Sequence, residues 1–192
     1  MALKQERLAG ANRRLERLAS TDELTRLFNR RAFTNLVDNY LAGGPSMLAV
    51  PEGAFLVIDA DHFKHINDRH GHDMGDEALQ QIAKEIKANI RDIDIVGRIG
   101  GEEFGVLLVG ANLSTATHVA ERVRRAISVI DFQPNGVQHK LSISVGGAAF
   151  GGPVAFSDLY RVADQRLYVA KKAGRNCVAL ATVLGEHAAR AA

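Results

Sequence analysis

The chain has 192 residues, 46% of them hydrophobic, and a formal net charge of +2. That is one domain of ordinary size with apolar material for a core, and its weak charge excludes the basic field of a nucleic-acid binder. The single Cys177 excludes a disulfide framework within the chain and fits a reducing compartment.

No run approaches the roughly 18 apolar residues of a membrane span. Met1-Ala2-Leu3 leads straight into Lys4-Gln5-Glu6-Arg7 without a signal-peptide pattern. The expectation is a cytoplasmic domain making no membrane contact itself, with any sensory or membrane domain of a parent protein lying upstream.

Residues 2–19 read as an amphipathic helix. Leu8, Ala11, Leu15 and Leu18 form a seam of about two heptads. It is either a surface helix packed on its own domain or the tail of a longer signalling coiled coil. Phe28–Leu41 reads as a second helix, and residues 42–53 as a loop by their Gly and Pro content. Ala54–Ile58 is a central strand. Asp61–His70 is a short helix stopped by Gly71. Asp76–Ile90 is an amphipathic helix with Leu79, Ile82, Ala83, Ile86 and Ile90 on one face.

A hairpin between the apolar runs Ile93–Ile99 and Phe104–Val109 follows. Ser114 caps a helix with Val119, Val123, Ala126, Ile127 and Ile130 inward. Val137–Phe150 reads as strands, since Leu141, Ile143 and Val145 alternate with Ser142 and Ser144. Ser157 opens a last helix with Leu159, Val162, Ala163, Leu167 and Ala170 inward. Gly174 ends it, and Cys177–Leu180 is a final strand. The expected plan is an N-terminal helix over residues 1–20, one domain over 21–182 and a frayed tail over 183–192. The fold class is α/β (α+β), a mixed sheet covered by helices.

Gly100-Gly101 between two strand-like runs reads as a tight turn, because glycine enters left-handed backbone cheaply. Glu102 and Glu103 then stand at or just past its tip. Asp59 and Asp61 end another strand and share a face if that strand continues straight. The two acidic tips together suggest a two-metal phosphoryl-transfer site; the plainer alternative is a charged turn and a polar strand end. Lys64, Lys171 and Arg175 are either partners for a triphosphate or solvated helix cations. Asn67 and Asp76 flank Gly71-His72-Asp73-Met74-Gly75. An amide with a carboxylate satisfies a guanine edge, although Asp76 also reads as the cap of the helix beginning there. His72 has no Cys or His at zinc spacing and is expected to be a hydrogen-bonding loop residue. Ser142 and Ser144 lack a His–Asp set for nucleophilic catalysis.

Five ordered segments resemble the GGDEF domain of diguanylate cyclases, from about Thr21 to Val178. They are Asp22-Glu-Leu-Thr-Arg-Leu-Phe-Asn-Arg-Arg31, Asp59-Ala-Asp-His-Phe-Lys-His-Ile-Asn-Asp68, Gly71-His-Asp-Met-Gly-Asp76, Arg98-Ile-Gly-Gly-Glu-Glu-Phe104 and Ala163-Asp-Gln-Arg-Leu-Tyr-Val-Ala-Lys-Lys-Ala-Gly-Arg-Asn176. The resemblance implies an adenylyl-cyclase-like palm that condenses two GTP into cyclic di-GMP, with the site between the subunits of a homodimer. It implies that Asp59, the Ala60 carbonyl, Glu102 and Glu103 hold two Mg²⁺, with Mn²⁺ as a substitute. Either glutamate could take the 3′-OH proton. Asn67 and Asp76 would read guanine, with His72 in the same substrate pocket. His62 and Phe63 would offer backbone amides to phosphates, and Lys64, Lys171 and Arg175 would supply positive charge. Arg91-Asp-Ile-Asp94 stands where the family places its product-inhibition site, made by Arg91 and Asp94.

Arg26 stands where the family usually has Gly, Ala60 replaces a common Ile, Glu102 is a frequent variant of Asp, and the 42–53 loop is long. The rival functions are a non-catalytic module binding cyclic di-GMP or GTP, and a palm-type enzyme acting on DNA or ATP. The retained acids count against the first and the weak charge against the second.

Overall fold

A computed structural model of the chain describes residues 20–43 and 51–183. The expected heptad helix and the C-terminal tail lie outside the described residues, except for Ser20 at the helix end and Val183.

A six-stranded sheet is built from β1 (Phe28–Asn29), β2 (Glu52–Ala60), β3 (Ile95–Arg98), β4 (Glu103–Val109), β5 (Ile143–Gly151) and β6 (Val178–Thr182), in the order β1-β3-β4-β2-β5-β6. β2 is central and antiparallel to both β4 and β5, whereas β1 pairs with β3 and β6 with β5 in parallel. Five α-helices cover the sheet: α1 (Arg30–Leu41), α2 (Phe63–His70), α3 (His72–Ala88), α4 (Leu113–Ser128) and α5 (Phe156–Lys172).

The alternation of β2 assigns the layers. Ala54, Leu56, Ile58 and Ala60 join the core under α2, α3 and α4, with Ile66, Leu79, Ile82, Ile86, Val123 and Ile127. Phe55 and Val57 point to the other face, where Phe33 and Val37 of α1 and Leu159, Ala163 and Leu167 of α5 pack. α5 lies so close to β5 that a Cβ on Gly146 would run into the Ala163 carbonyl and the Leu167 amide. The expected mixed sheet with helices on it is present.

Several boundaries differ from expectation. The helix expected at Phe28 starts at Arg30, because Phe28–Asn29 pairs with β3 and the Asn29 side chain accepts the Ala32 amide at 3.0 Å. Glu52 and Gly53 belong to β2, not to the preceding loop. α3 starts at His72, four residues before Asp76, so Asp76 does not cap it. The buried Gly75 is a helical packing residue there. α4 is capped by Asn112, whose side chain accepts from Thr115 N at 2.9 Å; Ser114 lies within the helix. Its fully buried seam runs through Ala116, Ala120, Val123 and Ile127, while Val119, Ala126 and Ile130 are half-buried. Only one strand forms in the 137–150 region. Residues before Ile143 are irregular, with a 3₁₀ turn at Pro134–Gly136 and one bridge between Phe132 and His139.

Candidate active site

The end of β2 and the start of β4 are in register, with Asp59 opposite Glu103. Directly opposed residues share a face, so both carboxylates stand on the α1/α5 side. The Ala60 amide donates to Glu102 O at 3.1 Å, and the Ile99 and Gly100 amides donate to Glu103 O at 2.9 and 3.2 Å. These bonds close the Gly100-Gly101 turn. Arg98 pins its tip: Nε and Nη2 donate to Gly101 O at 3.1 and 2.6 Å. The same guanidinium donates to both Asp22 oxygens at 3.3 Å. Arg98 was not singled out by the sequence reading; its position immediately before the turn is the signal that could have found it.

Lys171, in the last turn of α5, places Nζ 2.9 Å from Asp59 Oδ2. Asp59, Glu102 and Glu103 are all pushed above the ordinary carboxylate range. Burial is the largest cause in each case, and Lys171 opposes it in each. Asp61 adds repulsion to Asp59. Asp59 and Glu103 repel Glu102, and Asp59 and Asp164 repel Glu103. One buried and two half-buried acids that repel one another and face one lysine form a site that favours added positive charge. Among the described residues no three His, Cys, Asp or Glu side chains converge closely enough to cage an ion unaided. The donor set fits a hard cation that completes its shell with water and phosphate oxygens, as Mg²⁺ does.

Asp61 stands beside this group but its carboxylate is committed to hydrogen bonds. β2 ends at Ala60, and the backbone turns at His62 through φ 56°. The Asp61 carboxylate accepts from Ser142 Oγ at 2.8 Å, Ser144 Oγ at 2.6 Å and Asn176 N at 2.9 Å. Asp61 N donates to Ser142 O at 2.9 Å, which carries the β2–β5 register one step past Ala60, and Ser144 stands opposite Asp59; Asp61 therefore shares the Asp59 face, as expected, with its carboxylate held by the two serines.

α2 begins beside the acids. Its first-turn amides, including those of Phe63 and Lys64, have no intrahelical acceptor by geometry. Phe63 is buried, while His62 and Lys64 are exposed. Arg175 is exposed and close enough for its charge to lower the Asp59 pKa against the effect of burial. Asn67 lies on α2 and Asp76 on α3, next to Gly75. Asn67 is half-buried with its side chain against Gly75, and Asp76 and His72 are exposed.

Arg91 and Asp94 lie elsewhere. Asp94 is buried, and its carboxylate receives Arg91 N at 2.9 Å, Arg91 Nε at 3.1 Å, Arg91 Nη2 at 2.7 Å and Val109 N at 3.0 Å. Those four donors use the acceptor positions of a carboxylate. Arg91 Nη2 also donates to Val109 O at 2.6 Å. The pair therefore sits at the far end of β4, about 20 Å along the strand from Glu103. Arg91 remains half-exposed and available.

A family model described as diguanylate cyclase, GGDEF domain, matches residues 19–177. The chain is 40% identical over 163 residues to the diguanylate cyclase DgcP of Pseudomonas aeruginosa, covering 82% of this chain and 23% of that protein. It is 36% identical over 171 residues to the probable diguanylate cyclase DgcC of Escherichia coli K12, covering 88% of this chain and 45% of that one. The chain thus spans less than half the length of these curated relatives. Among solved structures, the coiled coil and GGDEF domain of DgcB from Caulobacter crescentus, in complex with c-di-GMP, aligns with TM-score 0.86 at 28% identity over 94% of this chain and 95% of that one. The active GGEEF domain of a diguanylate cyclase from Vibrio cholerae aligns with TM-score 0.71 at 33% identity over 79% and 96% of the respective chains.

Proposed function

The chain belongs to the GGDEF domain family, and we propose that it is a diguanylate cyclase joining two GTP into cyclic di-GMP and pyrophosphate across a homodimer. The observation carrying this reading is the pairing of Asp59 with Glu103 on one sheet face, with Lys171 drawn to them.

Asp59, the Ala60 carbonyl, Glu102 and Glu103 would hold two Mg²⁺, and the same oxygen donors would accept Mn²⁺. When bound, the ions supply charge neutralisation for the triphosphate and the attacking oxygen. The amides of His62 and Phe63, with Lys64, receive phosphate oxygens at the start of α2, and Lys171 and Arg175 bind the terminal phosphates. Asn67 and Asp76 orient guanine from the α2–α3 seam, with His72 at its edge. Glu102 or Glu103 removes the proton from the 3′-OH of one nucleotide. That oxygen forms a bond to the α-phosphorus of the other GTP as the α–β bond breaks and pyrophosphate leaves. The same exchange in the opposite sense closes the ring.

One guanine station per chain makes a second copy necessary, and residues 1–20 are proposed as the helix that brings two copies together. Arg91, with Asp94, is proposed to bind the product as an inhibitor. The site is proposed to work in the cytoplasm. The test is incubation with GTP and Mg²⁺ across a dilution series, with products resolved by chromatography. Cyclic di-GMP formed at a specific activity that rises with protein concentration is expected. Product binding without turnover would replace this reading with that of a non-catalytic module.

A further inference from the structure

Asp61 is buried with 5% exposure beside Asp59, and both of its carboxylate oxygens accept hydrogen bonds. Three segments of the chain meet on it: the end of β2, the start of β5 through Ser142 and Ser144, and the loop after α5 through Asn176 N. That loop has unusual backbone. Gly174, Arg175 and Asn176 have φ of 113°, 63° and 45° in succession. Glycine adopts such angles freely, asparagine tolerates them, and arginine rarely does. Residues held there persist where the surroundings over-determine them. The supports are the Arg175 N to Ala170 O bond at 3.2 Å, the Arg124 Nη1 to Asn176 Oδ1 bond at 2.9 Å, and the Asn176 amide on Asp61 at 2.9 Å. Only the last connects the loop to the strand that carries Asp59.

We propose that Asp61 is a positioning residue for triphosphate binding: it holds the Asn176 amide, keeps the Arg175–Asn176 turn left-handed, and so fixes where the Arg175 guanidinium reaches. This rests on the reading of Arg175 as a phosphate contact. The part Asp61 plays is that of a hydrogen-bond acceptor, because the three donors already occupy its oxygens. A metal ligand needs the negative charge; an acceptor of the same shape needs only the carbonyl oxygen and hydroxyls free to rotate, which asparagine provides.

The test is calorimetric binding of 3′-deoxy-GTP, which lacks the hydroxyl that reacts, and of GMP, which lacks the terminal phosphates, in Mg²⁺ buffer. Wild type is compared with Asp61→Ala, Asp61→Asn, Arg175→Ala and the Asp61→Ala/Arg175→Ala pair. Asp61→Ala and Arg175→Ala should each weaken the triphosphate by about tenfold or more, the low end for a charged hydrogen bond. GMP affinity should hold within about twofold, and the double variant should bind no worse than Arg175→Ala alone, because the two act as one unit. Asp61→Asn should keep most of the affinity. Additive losses, an equal loss of GMP, or asparagine as damaging as alanine would each overturn the proposal. Should Asp61→Ala fail to fold, Asn176→Ala opposes the left-handed backbone from the other side and should give the same selective loss; an unchanged preference for the triphosphate overturns the proposal. If Arg175→Ala itself keeps that preference, the phosphate reading fails and the positioning role falls with it. If Arg175→Ala loses the preference and Asp61→Ala keeps it, only the positioning role is overturned.

Discussion

The Lys171 ammonium lies 2.9 Å from Asp59 Oδ2, at a point where Glu102 and Glu103 add repulsion to the same carboxylate cluster. One cation therefore faces a site that can carry more than one negative charge. A divalent ion arriving there would share or displace Lys171, leaving it free for a phosphate. The lysine and the metal are thus complementary occupants of one electrostatic need.

The acids should be indispensable for turnover. Asp59→Ala or Glu103→Ala removes a principal stabiliser of charge developing on phosphate, and the rate should fall by at least about a hundredfold. Circular dichroism should show both variants folded. A folded variant making cyclic di-GMP at near-normal rate would show that these carboxylates are not the catalytic set.

The same acids should strain the metal-free fold at alkaline pH. A carboxyl whose folded-state pKa is raised keeps its proton longer in the fold than in the unfolded chain. Its contribution to stability therefore falls as pH rises through the folded value. Glu103 is raised by burial first and by Asp59 next. Glu103→Gln cannot ionise, so without metal it should melt above wild type at pH ~8, with the gap closing below pH ~4, where glutamate is protonated in both states. Equal melting temperatures throughout would show that the cluster carries no net strain.

Base choice should be steep. Asp76 can accept from the guanine ring N–H and amino group, whereas adenine presents an acceptor at ring N1. A site built to hydrogen-bond one edge rejects the other by roughly 10⁴. Competing GTP and ATP in one reaction and counting each product measures the ratio. Comparable use of both would remove Asn67 and Asp76 from base recognition.

Arg91 and Asp94 should separate when mutated, despite their mutual bonds. Arg91 is 56% exposed at its side chain, while that of Asp94 is 2% exposed. Arg91→Ala should retain the fold, bind cyclic di-GMP more weakly in calorimetry, and form more product before stalling. Asp94→Ala strands the Val109 and Arg91 amides it now accepts and should cost about 1–3 kcal/mol of stability by chemical denaturation. An Arg91→Ala variant inhibited like wild type would refute the inhibitory role and leave the cyclase reading standing.

The two acidic tips were legible because strand alternation and the Gly100-Gly101 turn are local signals, whereas the pairing of β4 with β2 that sets Glu103 opposite Asp59 is long-range. Lys171 was assigned to phosphate, but its approach to Asp59 depends on α5 packing against β5, which no local pattern encodes. What holds the Asp61 carboxylate was hidden for a related reason. Its partners Ser144 and Asn176 are 83 and 115 residues distant in sequence. The helix starts at His72 and Leu113 were misplaced because Asp76 and Ser114 look like caps. In the fold a small residue is needed at the α2–α3 contact, and Asn112 takes the capping bond.

Gly75 has a hydrogen where every other residue has carbon, and a Cβ there would occupy the space of Asn67 Oδ1. On the proposed reading, the selectivity of this protein for guanine thus depends on a void as much as on a polar contact. One methyl group, carrying no charge and no hydrogen-bonding capacity, is enough to evict the reader of the base.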